Sequence, residues 1–458
     1  MESTLVAVDQ YIADHLGETR EDLKRLARIP SVSARGGEPM AAAADLVADL
    51  LTAAGFDARI IPSDGFPMVY GDSGGKAART IICYNHYDVQ PPEPLDLWVT
   101  PPFEPAERDG RLYARGISDD KGQLVSRIAA MRAVRAVMGG FPVRVKFIVE
   151  GEEEVGSRSL PAFIAAHADL LAADACVWET GGVDSAGRPL LTLGKRGVLC
   201  VELRARTLDR DAHSGQAHNL PNAAWHLLRA LATIKDEHER IQIPGFYDDA
   251  HPPAAEARAL LERMPSDEAF ARAHFGVGEF VNGHTGQAYK EAVYAPTANI
   301  AGLTAGWQGP GSKTVIPAEA TAKLDFRLVP DQDPADILAK LRGHLDAQGF
   351  ADIDLTQLGG ADHADTTPPD DPFVALTART AEEVYGLPAV LVPLIGGSGP
   401  GYPFRTILKT PIVSLGTSDP YTAIHSPNES VSLAQFERGT RHMAHLLLAY
   451  GEAGADAH

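Results

Sequence analysis

VRVKFIVEGEEEVGS, residues 143–157, is the stretch around which the chain is organised. Its first half alternates polar and apolar side chains and then becomes wholly apolar, which predicts a strand that runs into a buried sheet. The second half carries Glu150, Glu152, Glu153 and Glu154, which a hydrophobic core cannot accept without a positive partner. A solvated acidic loop is one interpretation of this cluster. A set of carboxylates gathered around metal is the other.

The bulk composition narrows the classes of protein to consider. A chain of 458 residues is too long for one ordinary hydrophobic core, so we expect two domains or two lobes. It has 41 basic and 61 acidic side chains, and the formal charge of −20 argues against nucleic acid or an anionic membrane surface as a partner. The polar N-terminus lacks an apolar signal region, and no apolar run has membrane-spanning length, so we expect a soluble cytoplasmic protein.

The three cysteines are Cys83, Cys176 and Cys200, an odd number at distant positions. Two of them lie inside apolar runs, which is typical of buried thiols in a reducing compartment. A catalytic cysteine is the alternative interpretation.

The first 195 residues alternate helical and strand patterns. Helical spacing of apolar residues predicts helices over residues 5–28, 38–54 and 124–138. Strand patterns cover residues 58–61, 80–84, 143–149 and 175–178. The second of these strands is apolar on both faces, as a central parallel strand would be. The pattern predicts an α/β domain with a mostly parallel sheet flanked by helices.

The pattern changes at residue 198. Residues 198–206 and 320–328 alternate apolar and polar side chains, which predicts half-exposed antiparallel strands. Predicted helices lie between them, at residues 223–234 and 254–264, and α/β character returns with a strand at 412–415 and a helix at 433–450. We therefore predict a discontinuous catalytic domain, residues 1–197 and 381–458, interrupted by an inserted α+β domain, residues 198–380.

Chemically capable side chains follow the predicted strands. His86 and Asp88 are two residues apart in an extended segment and so project together, and a carboxylate beside an imidazole commonly supports a metal-bound histidine. An ordinary loop pair is the alternative. Asp119 lies in RGISDDKG, residues 115–122, where acidic residues could bind metal or simply cap the following helix.

Binding residues of open α/β sheets collect beyond the carboxyl ends of the strands. His86, Glu153, Glu154, Glu179 and His425 all follow predicted strands, so we expect them to share one site. Two histidines with several carboxylates form a mixed nitrogen and oxygen set that suits zinc, manganese or cobalt better than calcium or magnesium. Two ions that share one bridging carboxylate would serve hydrolysis.

The order of the motifs resembles the M20 family of metallopeptidases, especially its carnosinase-like dipeptidase branch. The motifs are HxD at 86–88, GxxDDKG at 116–122, EGxEExGS at 150–157, a later acidic residue and a C-terminal histidine. The resemblance implies two divalent ions per subunit, zinc with manganese or cobalt as alternatives. Their implied ligands are Asp119 as the bridge, His86 and Glu179 for one ion, and Glu154 and His425 for the other.

The same resemblance assigns the remaining acidic residues of the site. Glu153 would be the general base, and Asp88 would orient His86. Apart from the resemblance, we expect Glu152 to be only a solvated neighbour of these residues. A cis peptide bond would join Asp119 to Asp120.

The resemblance further implies that the inserted domain is a lid and dimerisation domain. His213, in the motif DAHSG, would reach the active site of the neighbouring subunit of a homodimer and steady an oxyanion. A surface loop histidine is the alternative. Thr314, Arg327 and Ser398 would hold the terminal carboxylate of a substrate, a task that suits a guanidinium fork. The alternative for Arg327 is an edge-strand pair with Asp325.

The expected activity is hydrolysis of the peptide bond in dipeptides or short peptides with a free C-terminal carboxylate. It would use a metal-activated water and Glu153 as general base. An N-acyl amino acid deacylase or a carboxypeptidase of the same family is the alternative. A non-catalytic dimeric binding protein is a third possibility, although such a protein has no use for a free general base. The expected partners are a small peptide and a second copy of the chain, with neither nucleic acid nor membrane.

Overall fold

Two larger sheets of different character organise the computed structural model, which describes residues 2–75 and 77–455. The chain divides into two units. The first consists of the chain up to Gly194, Thr366–Pro393 and the chain from Pro400 onward, and the second consists of Lys195–Asp365 and Leu394–Gly399.

The helices and strands are as follows, in chain order. The helices are α1 (Glu2–Asp14), α2 (Leu16–Ala27), α3 (Glu38–Ala53), α4 (Lys121–Met138), α5 (Leu160–Ala166), α6 (Ala168–Leu171), α7 (Ala223–Ile234), α8 (Ala255–Arg263), α9 (Glu268–Phe275), α10 (Gly286–Glu291), α11 (Pro334–Ala347), α12 (Pro372–Tyr385), α13 (Tyr402–Thr406) and α14 (Leu433–Ala455). The strands are β1 (Asp57–Ile61), β2 (Met68–Asp72), β3 (Thr80–His86), β4 (Ala106–Arg108), β5 (Arg111–Tyr113), β6 (Arg144–Glu150), β7 (Ala175–Trp178), β8 (Gly182–Val183), β9 (Pro189–Thr192), β10 (Gly194–Lys195), β11 (Gly197–Arg206), β12 (Ala212–His213), β13 (Thr297–Ala305), β14 (Val315–Ile316), β15 (Glu319–Leu328), β16 (Asp354–Asp362), β17 (Asp365–Thr366), β18 (Val390–Val392), β19 (Ile412–Ser414) and β20 (Ser430–Ser432).

The first unit contains the large sheet, in the order β1-β2-β6-β3-β7-β19-β9-β18. Strand β3 pairs in parallel with β6 and β7, and β7 pairs in parallel with β19. These strands are buried along almost their whole length, as their apolar runs predict. The predicted α/β fold with a mostly parallel sheet is confirmed.

Two predicted boundaries differ from the structure. The predicted helix over residues 5–28 is divided at His15, which leaves helical geometry (φ −105°, ψ 10°) and stacks its ring on Tyr11 with centroids 3.9 Å apart. The predicted inserted domain ends too late, because α12 packs on α14 in the first unit and places Phe373 against Tyr450. The helix pattern of α12 carries no sign of which sheet the helix covers.

The second unit is built on an antiparallel sheet in the order β13-β15-β11-β16. Alternate residues of β11 and β15 are buried against α7 and α11, and the two predicted alternating strands are therefore confirmed. Strand β13 is at the edge of this sheet. A separate pair, β12 with β14, carries His213.

The thiols of Cys83 and Cys176 are buried in β3 and β7, as predicted, and Cys200 is half-buried. Burial raises the pKa of Cys83 to about 12, which leaves its thiol protonated and unreactive at neutral pH. Among residues 2–75 and 77–455, no helix combines the length and the apolar character that crossing a membrane requires.

Candidate metal centre

The carboxyl ends of β3, β6 and β7 lie side by side because these strands are parallel. His86 is the last residue of β3, and Glu179 directly follows β7. Glu153 and Glu154 lie in a single 3-10 turn that follows β6. All of them project from one edge of the sheet in the first unit.

Two loops bring further candidate ligands to this edge. Asp119 precedes α4, and His425 lies between β19 and β20. One ligand atom from each of Asp119, Glu154 and His425 can be chosen so that all three lie within 4.8 Å of one another. Such spacing is what a single cation would need.

The two carboxylate oxygens of Asp119 face in different directions. Oδ1 lies 3.1 Å from Nε2 of His86, and Oδ2 lies 3.1 Å from Nε2 of His425. On the first side, Nε2 of His86 is also 4.0 Å from Oε2 of Glu179. On the second side, Nε2 of His425 is 3.1 Å from Oε2 of Glu154. Asp119 therefore stands between two half-sites, each with one histidine and one glutamate.

The protons on His86 test whether cations fit this arrangement. Its Nδ1 lies 3.1 Å from the backbone oxygen of Asp88 and 3.3 Å from the Asp88 carboxylate, so Nδ1 must carry a proton. The lone pair of a neutral ring is then on Nε2, facing an oxygen of Asp119. That contact is repulsive unless a proton or a metal ion lies between the two atoms. The donor set therefore fits a divalent cation.

The pKa values of His86 and His425 reflect the negative charge of the carboxylates around them. Burial by itself would lower the pKa of His86, but hydrogen bonds with Asp119 and Asp88 raise it well above its ordinary value. Hydrogen bonds with Asp119 and Glu154 raise the pKa of His425 to about 10. Both histidines are thus driven toward the cationic form, and a bound metal ion meets the same electrostatic demand.

The surroundings of Glu153 favour its neutral, protonated form. Burial, and then the negative charge of Glu179, raises the pKa of its carboxyl group well above the ordinary value. A general base must be ionised near its working pH. Nearby divalent cations would lower this pKa again, because they favour the charged carboxylate.

The four glutamates of the opening stretch have separate environments. Glu150 is buried, accepts hydrogen bonds from the hydroxyl groups of Tyr84 and Ser157, and has its pKa raised to about 8 by burial. Glu152 is 8% exposed, so the prediction of a solvated neighbour is wrong. The turn after β6 folds it against Gly65, where an added Cβ atom would lie 2.0 Å from Glu152 Oε1.

The cis peptide bond between Asp119 and Asp120 is confirmed. Asp120 has a task of its own, since its Oδ2 accepts from Asn85 Nδ2 at 2.6 Å and from the His86 backbone N–H at 3.0 Å. Asp88 links the HxD motif to the EGxEExGS motif. Its Oδ2 accepts from the Glu154 backbone N–H at 3.1 Å, while its Oδ1 and its backbone oxygen face Nδ1 of His86.

Sequence reasoning missed Glu429 and Gln90. The carboxylate of Glu429 is 1% exposed and accepts from the N–H groups of Gly116, Ser118 and Asp119 and from Arg115, all at 2.8–3.0 Å. Gln90 Nε2 donates to Glu154 Oε2 at 2.9 Å. The spacing of Glu429 four residues after His425 is a signal that could have been noticed, but its partners are distant in the sequence.

The other predicted site residues lie in the second unit. His213 is exposed, and its Nδ1 accepts from the Gly215 N–H at 2.9 Å. Thr314 is its neighbour, since the Thr314 carbonyl accepts from the Ser214 N–H at 3.1 Å.

Arg327 and Ser398 are brought together in that unit. Arg327 Nη1 donates to Ser398 Oγ at 2.8 Å, while its Nε lies 3.6 Å from Asp325. The hydroxyl contact and the alternative carboxylate pair are thus both present.

Comparison with known proteins supplies an independent line of evidence. The profile of the Peptidase family M20/M25/M40 matches residues 82–449. The Beta-Ala-His dipeptidase of Rattus norvegicus is 31% identical over 285 residues, which cover 61% of this chain and 58% of that protein. The cysteinylglycine-S-conjugate dipeptidase of Corynebacterium striatum is 30% identical over 387 residues and 82% of each chain. The crystal structure of an M20 family metallo-carboxypeptidase from Sulfolobus solfataricus is 33% identical, with a TM-score of 0.91 over 95% of this chain and 99% of that one.

Proposed function

The chain belongs to the peptidase family M20/M25/M40, and from that premise we propose that it hydrolyses dipeptides or short peptides with a free C-terminal carboxylate. The observation that carries the proposal is Asp119, whose two oxygens each face a histidine at 3.1 Å. A carboxylate shared in this way is suited to bridging two cations.

Two divalent ions would be held by residues of the first unit, with zinc as the proposed metal and manganese or cobalt as alternatives. His86 and Glu179 would bind on one side of Asp119, and Glu154 and His425 on the other. When bound, the ions would supply Lewis acidity that polarises the scissile carbonyl and makes a water acidic.

Glu153 is the proposed general base. Its carboxylate would accept a proton from the attacking water and deliver it to the leaving amine. Asp88 supports this arrangement, because it keeps the proton of His86 on Nδ1 and so reserves Nε2 for the metal. Glu154 accepts a hydrogen bond from Gln90 Nε2 at 2.9 Å and is proposed as a ligand rather than as the base.

His213 is the proposed oxyanion donor. Because its Nδ1 accepts a hydrogen bond from Gly215, the neutral ring carries its proton on Nε2, where it can be donated to a developing negative charge. We propose that this donor serves the active site of a second copy of the chain.

The second unit offers a surface for that second copy. Edge strand β13 exposes Ile300 (51%) and Leu303, and α7 exposes Trp225 (62%). Lys235, directly after α7, donates to the Ala298 carbonyl of β13 at 3.3 Å, so α7 and β13 are neighbours. An edge strand is self-complementary, because antiparallel pairing with its own copy satisfies its free backbone groups.

Arg327, Ser398 and Thr314 are the proposed contacts for the substrate's terminal carboxylate. The guanidinium of Arg327 is partly exposed and already bonded to a hydroxyl group, so it can offer its remaining donors to an anion. These contacts would favour substrates with a free C-terminal carboxylate.

A carboxypeptidase is the second candidate, because the structure from Sulfolobus solfataricus is described as a metallo-carboxypeptidase. It would use the same metal centre and the same carboxylate contacts on longer peptides. The length of the preferred substrate therefore distinguishes the two candidates.

The test is a substrate panel for the zinc- or manganese-loaded protein, with dipeptides, tripeptides, longer peptides and N-acyl amino acids. We expect fastest turnover of dipeptides, and a loss of up to about 10⁴-fold in Glu153→Gln with its metals retained. Preference for longer peptides would favour the carboxypeptidase, and preference for N-acyl amino acids the deacylase. Absence of turnover on every substrate by the metal-loaded protein would contradict the proposal and leave a binding protein.

A further inference from the structure

Arg127 is a buried cation that the proposed chemistry does not use. It lies on α4, it is 1% exposed, and its guanidinium is at the carboxyl ends of three parallel strands. Nη1 donates to the Tyr84 carbonyl and to the side-chain oxygen of Asn85, both at 2.9 Å. Nη2 donates to the Trp178 carbonyl and, at 3.1 Å, to the carbonyls of Glu179 and Leu415.

The acceptors of Arg127 connect parts of the chain that are far apart in sequence. They come from the ends of β3, β7 and β19, which are neighbours in the sheet. Burying a guanidinium is costly unless its donors are all used, and one flat fork here bonds to three strand ends. The group therefore fixes the spacing of these ends.

Two of the candidate metal ligands depend on this spacing. The contact with the Glu179 carbonyl holds the backbone of one ligand directly. The second connection runs through Asn85, whose Nδ2 donates to Asp120 Oδ2 at 2.6 Å, and the same oxygen accepts from the His86 N–H at 3.0 Å.

The ligands on the other side of Asp119 are held differently. Glu154 is fixed by Gln90 and by the contact of its backbone with Asp88. His425 lies on the loop that leads to Glu429, whose carboxylate bonds to the Asp119 loop. None of these contacts includes a donor from Arg127.

We propose that Arg127 is a positioning residue for one of the two metal ions, the ion held by His86, Asp119 and Glu179. It has little influence on the ion held by Asp119, Glu154 and His425. This inference rests on the proposed function, because it needs two ions. The two half-sites have similar ligands and differ in the hydrogen bonds that hold those ligands in place.

The test is a titration of the full-length, metal-stripped protein with Zn²⁺ by calorimetry and with Co²⁺ by visible absorption. We expect the wild type to bind two ions. We expect Arg127→Met to weaken one ion by about 10- to 100-fold, the range typical of lost outer contacts, and to leave the other within about threefold. Arg127→Lys should recover part of the loss, because an ammonium reaches some of the acceptors but cannot span them all.

Two controls make the result specific. Arg132→Gln removes an arginine from the same helix, one that pairs with Asp22 at 2.6 Å, and should leave both ions unchanged. Adding Glu154→Gln to Arg127→Met should remove the remaining ion, whereas adding Glu179→Gln should change little.

The outcomes separate the two claims. A wild type that binds no divalent ion contradicts the proposed function itself. A wild type that binds two ions, with Arg127→Met weakening both equally or neither, overturns the positioning role. If circular dichroism shows that Arg127→Met does not fold, Arg127→Lys decides, because it keeps a buried cation but cannot span all the strand ends. It should weaken the same ion selectively, and equal or absent weakening overturns the inference.

Discussion

The candidate residues of the two units differ in how completely the chain supports them. In the first unit, His86 and Asp88 are fully buried, and Asp119 has a hydrogen-bonded backbone on a loop fixed by Glu429. In the second unit, His213 and Thr314 are exposed, and the Arg327 side chain is 37% exposed. The candidate metal centre is thus supported by hydrogen bonds within one unit, and only His425, whose side chain is 53% exposed, is open to solvent among its proposed ligands. The second unit presents donors whose partners would come from substrate or from another copy of the chain.

Glu153→Gln is the strongest test of the proposed chemistry in the first unit. Turnover should fall by up to about 10⁴-fold, since an amide cannot accept the proton, while the metal content stays unchanged. Steady-state kinetics and elemental analysis measure the two effects. Glu152→Gln, an isosteric change of the neighbouring buried glutamate, should leave turnover nearly unchanged, and an equal loss in both variants would refute the assigned base.

The exposed side is tested by His213→Ala, which should lower turnover by about 10²- to 10³-fold through the lost oxyanion donor. Metal content should not change. His218→Ala, another exposed histidine whose ring contacts the same Gly215, is the matched control.

Mixed dimers test whether His213 acts between subunits. Combining equal amounts of His213→Ala and Glu153→Gln chains should restore about a quarter of the wild-type sites, because half the dimers are mixed and each has one complete site. If subunit exchange is demonstrated and no activity returns, the donor does not act between subunits.

A smaller effect is expected for Arg327→Lys. The Michaelis constant should rise by about 10- to 100-fold with little change in turnover, because an ammonium cannot form a two-pronged bond with the terminal carboxylate. The difference should vanish for a C-terminally amidated peptide. Lys323→Gln, an exposed change on the same strand, serves as the control; a rise of the same size there would count against a carboxylate contact.

The smallest effect concerns stability toward acid, to which two buried groups, His442 and Asp362, should contribute with opposite signs. Burial lowers the pKa of His442, on α14, to about 4, so between about pH 6.5 and 4 the unfolded chain binds a proton that the folded chain does not. The contribution of His442 alone should therefore fall by about 2 kcal/mol by pH 5. Burial raises the pKa of Asp362, in the second unit, to about 6, so acid stabilises that folded unit over the same range.

Urea unfolding at pH 7 and pH 5 measures the effect. His442→Gln keeps a donor for the Thr377 carbonyl, which His442 Nε2 contacts at 3.2 Å, and removes the titration. Between pH 7 and pH 5 the variant should therefore gain stability relative to the wild type. An identical pH dependence in both proteins would show that His442 does not titrate as expected.

Local pattern predicted the strands well, because a strand depends on a short stretch of sequence, whereas the ligand set comes from the family resemblance and stays a prediction. The apolar runs of β3 and β6 and the alternation of β11 and β15 suffice for the two sheets. The opening motif likewise predicted carboxylates at a strand end. The geometry around Asp119 then brings together the residues that the motifs single out.

What the sequence could not predict depends on distant partners. Arg127 sits in an amphipathic helix pattern and gives no sign that its acceptors extend to Leu415. The sequence predicts a solvated Glu152, yet its side chain is buried against Gly65, which is distant in the sequence. Helix α12 was assigned to the inserted domain because nothing local shows that it packs on α14.

The position of β19 in the large sheet has a consequence for synthesis on the ribosome. Strand β19 lies between β7 and β9, although more than two hundred residues separate it from either in the sequence. The second unit, apart from Leu394–Gly399, therefore emerges and can fold while the first unit still has a gap in its sheet. His425 and the Leu415 acceptor of Arg127 leave the ribosome later still. The proposed centre is therefore incomplete during most of translation, and we expect it to hold both ions only after His425 has emerged and the sheet has closed.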